Sequence, residues 1–370
     1  MKFVALRSNV KEALSVVEKA IGENANLPIL KNILIEAKDG AITFTATNLE
    51  IAISHKVTGK IIEDGKVAPP SSLLSSIISN IQSDRLNFES KGNNLEVTTD
   101  NYSATVNGLS PEDFPITPNV KNENRVVTIK SAILKEAIQQ VVVAAQFSDL
   151  RPELNSILFN FSIENLVLAA TDGFRLAEKS LPANLFSTKH KEPFKLLIPL
   201  RTTLEIARVM ADDEDVHLMW DENQVFAKTE TTELISRLTE GNFPDYSAII
   251  PHEFSAEVVV DREELSSAIK LAGVFGQKNS EVRMKIHPNK KAVEISSADQ
   301  ALGENNQVLP AKIKGEVGEI FFNWRYLGDA MKGIKTADVL IGLQQETGPA
   351  LVRSTSDNSY FYILRPILKA

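Results

Sequence analysis

The chain has 370 residues, of which 43% are hydrophobic, and a formal net charge of −8. This length exceeds that of one ordinary core and predicts two or three domains. The absence of cysteine excludes disulfides and thiolate metal sites, and the five histidines lack the spacing of metal ligands. Neither a membrane helix nor a secretory signal is apparent, so the sequence predicts a cytoplasmic protein without membrane association, metal or cofactor.

The first 120 residues predict a strand, a helix, paired strands and a second helix. A short strand at residues 2–6 precedes a helix at residues 8–20, for which Ser8 is the predicted N-cap. Asp39-Gly40 predicts a hairpin turn, because glycine accepts the positive φ that such turns require. The second helix is predicted at residues 71–81, and further strands follow.

The same order of elements then occurs twice more. Helices are predicted at residues 131–146 and 201–210, and again at residues 262–272 and 324–335. Short motifs recur at intervals of about 125 residues, which is a domain repeat and not a solenoid repeat. They are Ala46-Thr47-Asn48, Ala170-Thr171-Asp172 and Ser297-Ala298-Asp299. The sequence therefore predicts three similar α+β domains (1–120, 121–250 and 251–370), each with two helices packed on an antiparallel sheet.

The predicted helices are slightly basic, whereas the rest of the chain carries the negative charge. The net charge argues against nonspecific wrapping of nucleic acid, which favours a basic domain. An acidic exterior with a mildly basic helical face is suited to a polyanion held loosely. A solvated helix face of mixed charge explains the same pattern equally well.

The turn at Thr171-Asp172-Gly173-Phe174-Arg175-Leu176 is the most unusual short segment. By itself it predicts a hairpin tip, but only the middle copy of the repeated motif adds Phe-Arg-Leu. No catalytic constellation, phosphate-binding loop or nucleophile elbow is apparent. The acidic run at residues 212–215 follows a predicted helix and is interpreted as a polar loop and not as a metal site.

Several motifs together resemble the bacterial sliding clamp family, the beta subunit of DNA polymerase III. They are Ala170-Thr171-Asp172-Gly173-Phe174-Arg175-Leu176-Ala177, Phe243-Pro244-Asp245-Tyr246, Leu27-Pro28-Ile29-Leu30 and Tyr362-Ile363-Leu364-Arg365-Pro366-Ile367. The resemblance covers the full length and implies a non-enzymatic processivity factor. It implies a head-to-tail homodimer, a closed ring of six domains with helices around duplex DNA. It also implies that polymerase, clamp loader and repair proteins dock short peptides in a hydrophobic groove.

The resemblance assigns roles to positions of this chain. The groove positions are Leu154, Thr171, Gly173, Phe174, Arg175, Leu176, Pro244, Ile249, Ile363, Arg365, Pro366 and Ile367. Apolar walls would hold anchor side chains, with Thr171 and Arg175 as polar groups that orient the peptide; plain core packing is the alternative for Leu176 and Ile363. The predicted DNA-facing residues are Arg151, Arg201, Arg208, Arg325 and Lys332. The predicted dimer contacts are Ala104 and Val106 on one side and Val274 and Phe275 on the other.

This chain departs from the family pattern at several positions. Phe174 stands where His or Tyr is usual, and Arg365 stands where Met is usual, so partner preference is expected to differ. Positions that match family DNA contacts, Asn24 and Ser71, are not basic here. Two other functions are alternatives: a protein-interaction scaffold that never encircles DNA, and a hydrolase that uses Asp172 with Arg175 but lacks a nucleophile.

Overall fold

The computed structural model describes residues 1–22, 27–116, 125–148, 150–276, 280–345 and 347–368. Asn24 and the predicted domain boundary near residue 120 lie outside these ranges. The chain forms two compact units: Met1–Ala132, Phe186–His190 and Glu205–Leu238 in unit 1, and Ile133–Leu185, Lys191–Leu204 and Thr239–Ala370 in unit 2. Among the described residues no helix is long and apolar enough to span a membrane.

Six α-helices lie within the described ranges: α1 Arg7–Val17, α2 Ser71–Asn80, α3 Ser131–Val141, α4 Leu200–Val209, α5 Arg262–Phe275 and α6 Trp324–Lys332. Each directly follows a strand or, for α2, the short Ala68-Pro69-Pro70 link after one. The prediction that Ser8 caps the first helix is wrong, because α1 begins at Arg7 and its N-cap, Leu6, makes no side-chain hydrogen bond. Asp261 and Asn323, in contrast, cap α5 and α6 with their side chains.

Unit 1 contains two antiparallel sheets. The strands that form them are β1 Lys2–Leu6, β2 Leu34–Lys38, β3 Ala41–Thr47, β4 Ile51–Val57, β5 Gly59–Glu63, β6 Gly65–Val67, β7 Arg85–Lys91, β8 Asn94–Thr98, β9 Ser103–Val106, β10 Val126–Lys130, β14 Phe186–Thr188, β16 Asp215–Trp220, β17 Gln224–Lys228 and β18 Thr232–Arg237. The five-stranded sheet has the order β5-β1-β7-β8-β9, and the nine-stranded sheet the order β14-β10-β16-β17-β18-β4-β3-β2-β6. The turn at Asp39-Gly40 joins β2 to β3, as predicted.

Unit 2 contains one twelve-stranded sheet of antiparallel pairs. Its strands are β11 Ser156–Phe161, β12 Asn165–Thr171, β13 Arg175–Pro182, β15 Phe194–Pro199, β19 Ala256–Asp261, β20 Glu281–His287, β21 Ala292–Asp299, β22 Gly303–Gly315, β23 Glu319–Asn323, β24 Asp338–Leu343, β25 Ala350–Ser354 and β26 Tyr360–Leu364. Their order is β15-β11-β12-β13-β26-β25-β24-β19-β22-β21-β20-β23. Helix α5 packs on β21 and β22 and against α6.

The pairing of β13 with β26 brings the C-terminal strand beside the turn that the sequence singled out. Arg175 pairs with Leu364 and Leu176 with Ile363, so the last strand continues the sheet formed by β11 to β13. The side chains of Leu176 and Ile363 are 0% and 2% exposed. Burial of such apolar side chains contributes about 1.5–3 kcal/mol each, which anchors this strand pair.

Candidate peptide-binding groove

The turn between β12 and β13 is held by its own side chains. Asp172 Oδ1 accepts the backbone N–H groups of Phe174 (2.9 Å) and Arg175 (3.0 Å). Thr171 Oγ1 accepts the N–H of Gly173 (3.1 Å) and donates to the carbonyl of Arg175 (2.6 Å). Gly173 has a φ of 87°, which costs glycine little because it has no Cβ. The turn is therefore ordered before any ligand arrives.

The backbone hydrogen bonds made by the Asp172 side chain occur at the other two copies of the motif, whereas those of the Thr171 hydroxyl recur only at Thr47, because the third copy has Ala298 at that position. Asn48 Oδ1 accepts the N–H groups of Glu50 (3.0 Å) and Ile51 (2.8 Å). Asp299 Oδ1 accepts those of Ala301 (2.8 Å) and Leu302 (3.1 Å). The motif repeated in the sequence thus forms the same type of side-chain-stabilised turn in each copy.

Only the middle copy of this turn contains an arginine. Arg175 Nε donates to Asp172 Oδ2 at 2.9 Å, and Nη1 donates to Asp329 Oδ2 at 2.6 Å. Its guanidinium lies 4.2 Å from the ring centre of Tyr326 on α6, a cation–π contact. Arg175 was predicted to orient a bound peptide, but these contacts engage it within the chain. In this structure Arg175 joins the turn to α6.

The apolar side chains around the turn form two buried clusters. One consists of Leu176, Leu351 and Ile363, and the other of Leu158, Ala169 and Leu197. Tyr246 packs against both clusters and meets the ring of Phe243 edge-on at 5.9 Å. Tyr246 therefore connects the two halves of the apolar wall, a role that sequence reasoning missed although it noted the Phe243-Pro244-Asp245-Tyr246 motif.

The hydroxyl of Tyr246 is fixed by a carboxylate on the neighbouring strand. It donates to Glu178 Oε2 at 2.6 Å. Burial raises the pKa of Glu178 above its ordinary value, although the bond from Tyr246 opposes that shift. Burial and the adjacent Glu178 both raise the pKa of Tyr246. Tyr246 therefore stays a neutral donor at physiological pH, and its ring position is set by this bond.

The predicted groove residues fall into three classes of exposure. Exposed residues are Gly173, Phe174, Pro244, Ile249 and Arg365; half-buried ones are Arg175 and Ile367; buried ones are Leu154, Thr171, Leu176, Ile363 and Pro366. The exposed fraction is 62% for Phe174 and 50% for Ile249, both large apolar side chains. These residues form the accessible surface, whereas Leu176 and Ile363 are core residues beneath it, as the alternative interpretation held.

Backbone hydrogen bonds bring the residues after β26 to the turn. Arg365 donates its N–H to the carbonyl of Phe174 at 2.9 Å, and Ile367 donates to the carbonyl of Phe321 at 2.7 Å. The backbone of Arg365 is thus joined to that of Phe174, and both residues are exposed. This edge of the surface therefore contains one exposed aromatic residue and one exposed basic residue.

The predicted DNA-facing residues are all exposed. Arg201 and Arg208 lie on α4, Arg325 and Lys332 on α6, and Arg151 precedes β11. Arg208 contacts Glu205 at 3.2 Å, and Lys332 contacts Asp329 at 2.6 Å. The resemblance places Ser71 at a DNA-contact position of the family, where this chain lacks a positive charge. Ser71 is buried and donates to Glu18 Oε1 at 3.1 Å.

The predicted dimer positions lie on an edge strand and on a helix end. Ala104 and Val106 belong to β9, an outer strand of the five-stranded sheet. Ala104 is half-buried, but Val106 is only 1% exposed, so its side chain packs within unit 1. Val274, with 54% exposed, and the half-buried Phe275 lie in the last turn of α5.

No group of three or more His, Asp or Glu side chains in the described ranges could hold a metal ion. Asp172 and Arg175, the pair considered for hydrolysis, are bonded to each other. The acidic run at residues 212–215 is the connection from α4 that leads into β16, and Asp215 pairs with Lys130 at 3.0 Å.

Three models of one family match the chain in succession. They are the N-terminal, central and C-terminal domains of the DNA polymerase III beta subunit, at residues 1–118, 128–245 and 247–367. The beta sliding clamps of Synechococcus elongatus and Bacillus subtilis are 28% and 25% identical to it over 99% of both chains. The crystal structure of the Bacillus subtilis DNA polymerase sliding clamp superimposes with a TM-score of 0.94 over 100% of both chains, at 25% identity. The crystal structure of the Pseudomonas aeruginosa DNA polymerase III subunit beta superimposes with a TM-score of 0.92, at 25% identity. The superposition covers 99% of this chain and 100% of the Pseudomonas aeruginosa chain.

Proposed function

Because the chain belongs to the bacterial DNA polymerase III beta subunit family, the beta sliding clamps, we infer that it encircles duplex DNA and tethers the replicative polymerase to it. It is a non-catalytic processivity factor, and it acts as a head-to-tail homodimer in a closed ring. The observation that carries this function is the match of fold and sequence over the whole length. Three domains, 1–120, 121–250 and 251–370, and a cytoplasmic location belong to the same proposal.

The surface around Phe174 is proposed as the site where polymerase, clamp loader and repair proteins dock. It is an apolar surface with a preformed turn, and large exposed apolar side chains favour a partner. Beneath this surface lie the buried groove residues Leu154, Thr171, Leu176, Ile363 and Pro366. The Pseudomonas aeruginosa clamp has been solved bound to griselimycin.

DNA is proposed to lie against Arg151, Arg201, Arg208, Arg325 and Lys332. Exposed cations supply a positive surface, while few close phosphate contacts leave a protein free to slide. Ring closure is proposed to join β9 of one protomer to the end of α5 of its partner. Because Val106 is buried, Ala104 and the backbone edge of β9 would make that contact, with Val274 and Phe275 opposite.

DNA retention distinguishes a ring from a scaffold that never encircles DNA. The protein should be loaded on a nicked circular duplex, isolated by gel filtration, and divided into a linearised and an untreated sample. A topological clamp stays on the circle and leaves the linear molecule. Equal retention on both forms, or peptide binding without any loading, would favour the scaffold.

The docking surface is tested by truncating its exposed ring. Phe174→Ala should weaken binding of a labelled peptide from the polymerase about tenfold, since an exposed aromatic anchor is the type of residue that dominates such contacts. Ile163→Ala is the matched control, because Ile163 is 67% exposed and lies in the turn between β11 and β12. Equal affinities of the two variants would place the site elsewhere.

A further inference from the structure

One carboxylate links the turn of the groove to an exposed lysine of α6. Asp329 Oδ2 accepts from Arg175 Nη1 at 2.6 Å, and Asp329 Oδ1 accepts from Lys332 Nζ at 2.6 Å. The side chains become more exposed along this path, from 8% for Asp172 and 12% for Arg175 to 21% for Asp329 and 68% for Lys332. A line of four alternating charges therefore runs from the turn to solvent.

The two cations at Asp329 compete for the same negative charge. A carboxylate that is neutralised in part by Lys332 attracts Arg175 less strongly, and the cations repel one another. A phosphate oxygen that pairs with Lys332 would draw its ammonium group away from Asp329. Asp329 would then interact with Arg175 alone, and that ion pair lies in a largely buried environment where solvent screens it little.

A firmer hold on Arg175 acts directly on the docking surface. Arg175 fixes Asp172, whose Oδ1 holds the N–H of Phe174, and the carbonyl of Phe174 accepts the N–H of Arg365. Less freedom in this turn before binding means less conformational entropy lost when a peptide binds. The side chains of Asp329 and Arg175 thus link the charge on the α6 surface to the conformational order of the groove turn.

We propose that Asp329 couples the two binding surfaces, so that a DNA phosphate at Lys332 raises the affinity of the groove for its peptide. Asp329 is a positioning residue in this scheme, since it acts through Arg175. Thermodynamic linkage requires that the peptide raise the affinity for DNA by the same factor. The coupling rests on the proposed function, because it presumes both DNA at α6 and peptide at the groove.

The chain offers a matched control for Lys332. Lys335 is 65% exposed and forms an ion pair of 2.9 Å with Glu136, a carboxylate that is not bonded to Arg175. Removal of either lysine lowers the positive charge near α6 by one. Only the removal of Lys332 takes a cation away from Asp329, so that Arg175 no longer shares this carboxylate with a lysine.

The test measures the Kd of a fluorescein-labelled polymerase peptide by anisotropy, with and without a short DNA duplex, at low salt. In the wild-type dimer the duplex should tighten peptide binding about threefold, the size expected for a partly exposed ion pair. Lys332→Gln should bind the peptide about threefold more tightly without DNA and gain nothing from the duplex. Lys335→Gln should behave as wild type. Asp329→Asn should lose about tenfold in affinity, because Arg175 loses a charged partner, and should also lose the duplex effect.

The coupling is overturned if the duplex tightens peptide binding equally in Lys332→Gln and wild type, or if Lys332→Gln and Lys335→Gln have the same Kd without DNA. Lys332 is on the surface, so these comparisons do not depend on how well Asp329→Asn folds. Normal retention on circular DNA with a peptide affinity that ignores the duplex would refute the coupling alone. Absence of both DNA retention and peptide binding in the wild-type dimer would refute the proposed function as well.

Discussion

Replacement of Asp172 by asparagine tests whether charge or shape holds the groove turn. Asparagine keeps the Oδ1 acceptor for the N–H groups of Phe174 and Arg175. It loses the negative charge that faces Arg175 Nε at 2.9 Å, in a pair whose side chains are only 12% and 8% exposed. Asp172→Asn therefore removes one largely buried ion pair and leaves the backbone hydrogen bonds of the turn in place.

The expected loss follows from the partners that remain. A hydrogen bond to a charged group contributes about 1.5–3 kcal/mol. Arg175 retains Asp329 and the ring of Tyr326, so the loss should lie toward the lower end, at about 2 kcal/mol. In local opening this equals roughly a thirtyfold rise in exchange rate, since 1.4 kcal/mol corresponds to tenfold.

Hydrogen exchange with mass spectrometry measures this opening in peptides that cover residues 169–178. Asp221→Asn is the control, because Asp221 Oδ1 accepts the N–H groups of Asn223 (2.9 Å) and Gln224 (2.8 Å) in the same kind of turn. That turn lacks the arginine, so we expect its exchange to change by less than about threefold. Equal acceleration in the two turns would show that the Arg175 ion pair does not stabilise the groove.

Three further outcomes follow from the structure. Phe275→Arg should yield monomers in sedimentation, because a charge replaces an apolar side chain at the proposed ring contact, and an unaltered dimer would refute that contact. Truncation after Leu364 should weaken peptide binding but preserve the dimer, since it removes Arg365 and spares β26; undiminished affinity would exclude the tail from the groove. Burial lowers the pKa of His55 below 6.5, and its Nδ1 lies 2.9 Å from Thr232 Oγ1. The unfolded chain then binds the proton more readily, so stability should fall as the pH drops below about 6.5; His55→Gln should flatten this dependence in thermal unfolding, and an unchanged pH dependence in that variant would refute the assignment to His55.

Local patterns predicted most of the secondary structure. All six predicted helices exist, and the turn at Asp39-Gly40 joins two strands as expected. Their ends differ where packing decides: the predicted helix 131–146 ends as an α-helix at Val141 and continues as a 3-10 turn, while α5 extends past Ala272 to Phe275. Helix ends depend on capping contacts that periodicity does not contain.

The contacts that define the groove could not be predicted in the same way. The partner of Arg175, Asp329, lies 154 positions away in the sequence, and no local period reports such a contact. The pairing of β13 with β26 joins residues that are still farther apart in the sequence, such as Arg175 and Leu364. The family resemblance supplied the groove positions, but it did not distinguish exposed Phe174 from buried Leu176. Phe174 lies in the turn before β13, whereas Leu176 lies on the face of β13 that meets the core, and that face is set by the strand pairing.

Each unit has a place where strands far apart in sequence are joined edge to edge. In unit 2 five residue pairs connect β13 to β26, and in unit 1 five pairs connect β4 to β18. A force directed along these strands must break all the hydrogen bonds of a seam together, whereas a force across them breaks the bonds one at a time. Pulling along the strands in single-molecule stretching should therefore require the larger force.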